Sequence, residues 1–418
     1  MIQTLSLAPG FTLRCYEDNR FKQGGLSLQM VRPMCREEAA MNALLPAVLL
    51  RGSKNSPDLR DITLRLDHLY GAGVGTLVRR VGDYQTIGLS CTFIEDRFAL
   101  PGDQVLAPMA DFLRELFLEP VLENGIFRND YVEGEKRNLI AAIAAQKNDK
   151  RVYAGNQMLT HMCGTDSYGI PRLGQIPEVE AISAEGLYTH YRKILKTSPM
   201  EIFYVGSAKP EYVAELLKPL CVSEDPIPLP PQTVLCPAEP AEIKEQMDVT
   251  QGRLCLGFTT PVTTRDPGFA ALQVMNAIFG GGMTSKLFMQ VREKLSLCYD
   301  IGSSYYGSKG VMTVAAGIEF SQKEVAQSQI LAQLEACRKG DMTEEEILSA
   351  KQGIITQLQA THDAPGSIES YYATSALNGL AMTPMEYIRA VEKVSLQDIK
   401  EAAESVQLHT VYFLEGEA

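Results

Sequence analysis

Apolar and polar positions alternate with a period of two in some stretches of the chain and recur with a helical period in others. FTLRCYE (residues 11–17) and LSLQMVRP (residues 26–33) both alternate, and the polar DNRFKQGG between them predicts a hairpin. Helical spacing follows over 37–50 and over 58–70, the second with Ser56 as candidate N-cap ahead of Pro57. GVGTLVRRVGD and YQTIGLSCTFI predict two strands turning at Gly82-Asp83. Long helical patterns cover 104–118 and 131–147. MEIFYVGSA reads as a strand, and EYVAELLKPL as a helix that closes the unit.

The pattern then breaks. Residues 222–242, VSEDPIPLPPQTVLCPAEPAE, carry six prolines and no apolar periodicity. Proline at this density favours extended backbone and removes ladder donors, which predicts a semi-rigid linker between domains at 1–221 and 243–418. The second part repeats motifs of the first in the same order. YQTIGLSCTFIED resembles GVMTVAAGIEFS, EKRNLIAAIAAQKND resembles SAKQGIITQLQATHD, and each half closes on a strand ending at glycine, MEIFYVG and HTVYFLEG. A helix also follows the first-matched strand in each half, and four matches in one order indicate duplication. Strands and helices mix without strict β-α-β alternation. The fold class is therefore α+β, with two similar domains, each an antiparallel sheet with helices packed on one face.

Composition narrows the function. At 418 residues, 45% hydrophobic and 22% charged, the chain has apolar material for two globular cores. No apolar run reaches the roughly 18 residues of a membrane span, and the N-terminus shows no secretory pattern, so a cytoplasmic location is expected. A formal charge of −12 argues against nucleic acid as a partner. The nine cysteines are scattered without a CxxC pair, which reads as reduced core thiols rather than disulfides or a zinc knuckle.

Candidate chemistry centres on FGGGMTSKLFMQVREKLSLCY, residues 279–299. Gly280, Gly281 and Gly282 fail as a phosphate loop, because a Walker loop places Lys and a hydroxyl directly after its last glycine. They fit neither a dinucleotide fingerprint nor its acidic partner spacing. Their plain reading is a sharp turn before a helix, with contact to a peptide as the alternative. Arg292 and Tyr299 lie seven apart, on nearly the same face if one α-helix carries both. If that helix ends near Leu297, Tyr299 instead opens the strand CYDIGSSYY. Forked guanidinium donors and a phenolic hydroxyl together suit an extended peptide backbone, although an exposed Arg and a buried Tyr are common on any helix.

The stretch resembles the second-domain signature of the insulinase/pitrilysin superfamily of zinc peptidases, in its mitochondrial-processing-peptidase-like branch. The glycine turn, Ser285-Lys286-Leu287-Phe288, and Arg292 with Tyr299 carry that resemblance. SYGIPRLGQIPEVEAISAEGLYTHYRKIL from Ser167, and LLRGSKNSPDLRDITLRLDHLYGAGVGT in the first half, extend it over nearly the whole chain. Active members carry HxxEH on the first helix, where two His bind zinc and the Glu serves as base. Here the corresponding five positions are Asn42-Ala43-Leu44-Leu45-Pro46 or Ala43 to Ala47, depending on a one-residue choice, and neither contains a His or Glu. The third ligand falls at Ala142, with Glu133 and Glu135 nearby. His68, His161, His190, His362 and His409 are single, with no pair at ligand spacing.

The resemblance thus implies half of a clamshell, without metal or cofactor of its own and not a peptidase alone. It implies pairing with a zinc-bearing homologous subunit, zinc residing in that partner, and a peptide or small protein as substrate. Arg292, Tyr299 and the glycines 280–282 would contact that substrate. A homodimer is the alternative when the partner is absent. Among metal-free subunits the chain is most similar to the bacterial group named for association with 5-aminopentanol modification of elongation factor P. A scaffold role, an accessory role in that modification, and a hydrolase with unrecognised ligands are the other classes to weigh.

Overall fold

The structure is a computed structural model that describes residues 2–417. The first half runs β1 (Ile2–Ala8), β2 (Phe11–Glu17), β3 (Gln23–Pro33), α1 (Arg36–Leu49), α2 (Leu59–His68), β4 (Gly73–Val81) and β5 (Tyr84–Ile94). It continues through α3 (Leu106–Leu118), a short β6 (Leu122–Glu123) and β7 (Ile126–Phe127), α4 (Asn129–Asn148) and α5 (Lys150–Cys163). It ends with α6 (Ile176–Glu180), α7 (Ala184–Thr197), β8 (Met200–Gly206) and α8 (Pro210–Leu217). The second half runs β9 (Ala241–Met247), β10 (Gly252–Thr259), α9 (Phe269–Phe279), a π-helical segment Leu287–Lys294, β11 (Cys298–Tyr306) and β12 (Val311–Ile318). It closes with α10 (Lys323–Lys339), α11 (Glu344–Ala360), α12 (Pro365–Asn378), α13 (Pro384–Lys393), α14 (Leu396–Ser405) and β13 (Gln407–Gly416).

The α+β class and the doubling are both present. The strand order is β1-β2-β8-β3-β5-β4 in one sheet and β9-β13-β10-β12-β11 in the other, so five strands correspond one to one. Each sheet is antiparallel except for one parallel pair, β2 with β8 and β9 with β13. In the first sheet Leu26, Leu28, Met30, Ile87 and Leu89 point to a core filled by Leu44, Leu45 and Val48 of α1 and by Phe112 and Leu116 of α3. The period-two alternation in β3 is the cause: its odd positions Ser27 and Gln29 face the other side.

The compact units are discontinuous in sequence. Residues up to 144, 170–231 and 362–377 form one, and 145–169, 232–361 and 378 onward form the other. The linear boundaries at 221 and 243 therefore do not delimit them, because α5 joins the second unit and α12 the first. In the second unit α5 lies so close to β10 that a Cβ on Gly257 would sit 2.6 Å from the sulfurs of Met158 and Met162. Residues 222–240 have no regular secondary structure, as proline content requires, and the backbone is tied down locally. Ile227 N donates to Thr197 O (2.8 Å) in the first unit, and Leu235 N to Lys309 O (2.9 Å) in the second.

Two local expectations are corrected. β2 and β3 do not form a hairpin: β8 lies between them, paired parallel to β2 and antiparallel to β3. The connection is five residues (18–22), because QGG already belongs to β3, and it spans the width of that strand; MEIFYVG is almost wholly buried once inserted. The cap of α2 is Asp58, whose carboxylate accepts from Arg60 N and Asp61 N, while Ser56 is buried and takes part in a turn with Ser53.

Candidate functional site

The resemblance places the metal helix of active members at α1. Ala43 and Pro46 are buried and Ala47 half-buried, and none offers a lone pair to a metal. Pro46 lies inside the helix, where a proline removes a backbone donor and is ordinarily disfavoured by about 3 kcal/mol. Asn42 is committed to a buried chain of neutral hydrogen bonds. His190 Nε2 donates to its Oδ1 (2.7 Å), and its Nδ2 donates to Gln85 Oε1 (2.9 Å). Gln85 in turn donates to Arg172 O (2.7 Å) and Ala39 O (3.2 Å). Burial pushes the His190 pKa down to about 4, against the pull of Glu38. On α4, Ala142 is exposed, Glu135 pairs with Arg51, and Glu133 with Lys136 (2.8 Å). The donor set does not fit zinc: no group of three His, Cys, Asp or Glu among the described residues is arranged for a metal.

The glycine turn separates into two parts. A Cβ on Gly280 would lie 2.6 Å from Ser303 Oγ, and one on Gly281 would lie 2.8 Å from Ala277 Cα, so both are required for close packing. Their N–H groups both donate to Asn276 O (2.9 Å each), which ends α9. Gly282 has open space around its Cα.

Each residue of Ser285-Lys286-Leu287-Phe288 then has a task. Ser285 Oγ accepts from Phe288 N (3.4 Å), Lys286 pairs with Glu346 of α11 (3.0 Å), Leu287 is fully buried, and the Arg292 guanidinium lies 4.5 Å from the centre of the Phe288 ring. The helix they open is not α-helical as expected but π-helical, with Leu295 N donating to Gln290 O (3.1 Å). Ser296 follows at φ 51°, a left-handed conformation, and β11 begins two residues later. Of the two arrangements open from sequence, the structure has the second: Tyr299 is on the strand.

Tyr299 falls where the pairing of β11 with β12 shifts register between Cys298 and Asp300, a β-bulge on an edge strand. Such bulges re-aim a side chain. Tyr299 is 60% exposed, and its hydroxyl donates to Glu319, which raises its pKa. Arg292 has its nearest carboxylate at Glu293, 3.6 Å away, a long contact. Phe288 and Glu319 were not anticipated as neighbours of the pair. Phe288 was signalled by its place in the motif, whereas Glu319 lies 20 residues from Tyr299 with no spacing rule to link them.

The family model for the peptidase M16 inactive domain matches residues 181–354. A Bacillus subtilis protein, YmfF, described as a "probable inactive metalloprotease", is 31% identical over 97% of this chain and 96% of its own length. An Enterococcus faecalis conserved protein of solved structure superposes with a TM-score of 0.93 at 28% identity, covering 100% of this chain and 99% of that one. A Pseudomonas fluorescens structure described as a peptidase M16 inactive domain shares the fold, with a TM-score of 0.81 at 19% identity over 100% and 98% of the two chains. The fold and the altered first helix define a metal-free homologue of a zinc peptidase. The chain belongs to the M16 (insulinase/pitrilysin) family, and neither five-residue stretch of its first helix that could stand for HxxEH contains a His or Glu.

Proposed function

We propose that the chain is the non-catalytic subunit of a cytoplasmic two-subunit metallopeptidase, and that it binds and encloses a peptide for a zinc-bearing homologous partner. The observation that supports this best is the presentation of Tyr299. A π-helical turn that carries Arg292, a left-handed serine and a bulge occur within 13 residues (287–299) and leave the Tyr299 ring exposed at a sheet edge, while the carboxylate paired with Arg292 is 3.6 Å away. Local irregularity of this kind has a cost in stability and is concentrated at functional sites. Arg292 supplies forked donors to peptide carbonyls, and the Tyr299 hydroxyl, once released from Glu319, supplies another. Gly282, not needed for packing, leaves exposed backbone in the turn that precedes them in sequence.

The test is reconstitution. The chain mixed with its zinc-bearing homologue is expected to cleave peptides that neither cleaves alone. Arg292→Ala and Tyr299→Ala should each lower kcat/KM about ten- to hundred-fold, as loss of one charge-assisted hydrogen bond implies, with assembly and zinc content unchanged. Tyr299→Phe separates the hydroxyl from the ring. Full activity in both alanine variants would reduce the stretch to a packing turn and leave a scaffold role as the better reading.

A further inference from the structure

A groove of about 650 Å³ lies on the first unit, framed by the end of α3, the segment leading into β6, the outward face of α7 and the start of the proline-rich segment. Its walls are laced by backbone. Ser53 bridges to Pro120, Val121 N donates to Gly52 O (3.2 Å), Lys54 N to Glu119 O (2.8 Å), and Glu224 N to Lys196 O (3.1 Å). Tyr191 Oη donates to Phe117 O (3.0 Å) below. The groove is therefore formed by the fold itself, and its volume is in the range that encloses small molecules.

Leu118, Val121, Leu122, Leu195 and Val222 supply its apolar lining, and Leu122 and Val222 stay more than a third exposed. Three cations, Lys54, Arg192 and Lys196, also line it. Both carboxylates there are already engaged, Glu119 by Arg114 (2.7 Å) and Glu224 by Lys196 (3.0 Å). Lys54 and Arg192 have no ion pair among the described residues, in a chain with 51 acidic and 39 basic residues. Two cations that no acid among the described residues neutralises thus border an apolar trough, a lining complementary to an anion with an aliphatic chain. Tyr188, Arg192 and Lys196 follow at four-residue spacing along one face of α7, so hydroxyl, guanidinium and ammonium border the same side.

We propose that this groove is a binding site for an aliphatic carboxylate, its chain against the leucine and valine wall and its head group held by Arg192 and Lys54. Its residues belong to the first unit and Arg292 and Tyr299 to the second, and it does not depend on the role proposed for that pair.

Octanoate is the probe, titrated calorimetrically into the full chain below its micelle concentration, with octylammonium, 1-octanol and inorganic phosphate as comparisons. The expected result is saturable one-to-one binding of octanoate, no binding of octylammonium, and at least about tenfold weaker binding of octanol and phosphate. Lys54→Gln combined with Arg192→Gln should weaken octanoate by at least about tenfold, and these exposed positions should leave the unfolding midpoint in place. Leu195→Trp, which fills the trough, should abolish binding. Phosphate binding as tightly as octanoate, octanol matching octanoate, or undiminished binding in the double variant would each overturn the proposal. So would an acidic peptide that binds at this groove while octanoate does not.

Discussion

His190 and Lys136 show what single side chains do in a chain without metal chemistry. His190 is buried, donates to Asn42 and has a pKa of about 4, against 6.5 when free. Between those values the unfolded chain takes up a proton that the folded chain refuses. Stability is therefore full above pH 6.5 and falls as pH is lowered towards 4, by up to about 3 kcal/mol. His190→Gln places an amide donor near the Nε2 position without a titrating group, so its urea midpoint should change less over that window than the parent's. Lys136 Nζ donates to Glu180 O (3.0 Å) and Ile182 O (2.8 Å), while Lys351 Nζ donates to Glu392 O (2.9 Å) and Val394 O (2.6 Å). The acceptors belong to VEAIS and VEKVS, which precede α7 and α14 and were not recognised as a repeat. Lys136→Met should destabilise by about 2 kcal/mol in urea unfolding, and Lys351→Met by less because its amine is less buried. The repeated lysines were legible in the sequence. Their partners, more than 40 residues on, were not, since no periodicity joins a donor to a helix end elsewhere in the chain.

At the scale of elements, the two helices that change units are counterparts in the duplication: α5 follows α4 as α12 follows α11. Each is held by one acidic hub. Glu369 of α12 accepts from Arg79 through both nitrogens (2.9 and 3.0 Å), from Ser27 Oγ (2.9 Å) and from Gln29 Nε2 (2.8 Å). Asp166, just after α5, accepts from Lys309 Nζ (3.2 Å), Tyr168 N (2.9 Å) and Cys236 N (3.0 Å). Breaking a partly buried ion pair and its added hydrogen bonds from one side leaves a charge less well compensated, so Glu369→Ala should cost about 2 kcal/mol. Hydrogen exchange should rise first over residues 365–378, and a uniform rise along the chain would show that Glu369 does not pin this helix. The polar positions in β3 that meet Glu369 looked solvent-facing from alternation alone. Period two tells which residues leave the core but not what covers them. The π-helical turn was equally hidden, because LFMQVREK has a helical pattern and a one-residue change in hydrogen-bond step leaves the composition untouched.

For the whole molecule, the duplication was readable because closing strands, long helices and their order survive in sequence. The exchange was not, because it alters which sheet a helix covers and nothing in the helix's own pattern. The linear halves and the compact units therefore make different demands on a fragment. Residues 1–221 lack 362–377, which belong to the first unit, and carry 145–169, which belong to the second. The apolar side of α5, with Met158 and Met162 almost fully buried in the native chain, has no sheet to meet in that fragment. Residues 243–418 lack α5 and expose the face of β10 around Cys255 and Gly257, together with Tyr412 of β13. Burying a large apolar side chain contributes roughly 1.5–3 kcal/mol, so losing several is of the same order as the total stability of a domain. Each fragment expressed alone should thus show near-native far-UV dichroism with little near-UV signal and marked dye binding, the behaviour of a compact state without fixed packing. The full chain cut only within the proline-rich segment, after folding, should keep its near-UV spectrum, since both exchanged helices are already in place. Two fragments that each fold cooperatively in isolation would refute this account of what holds the units together.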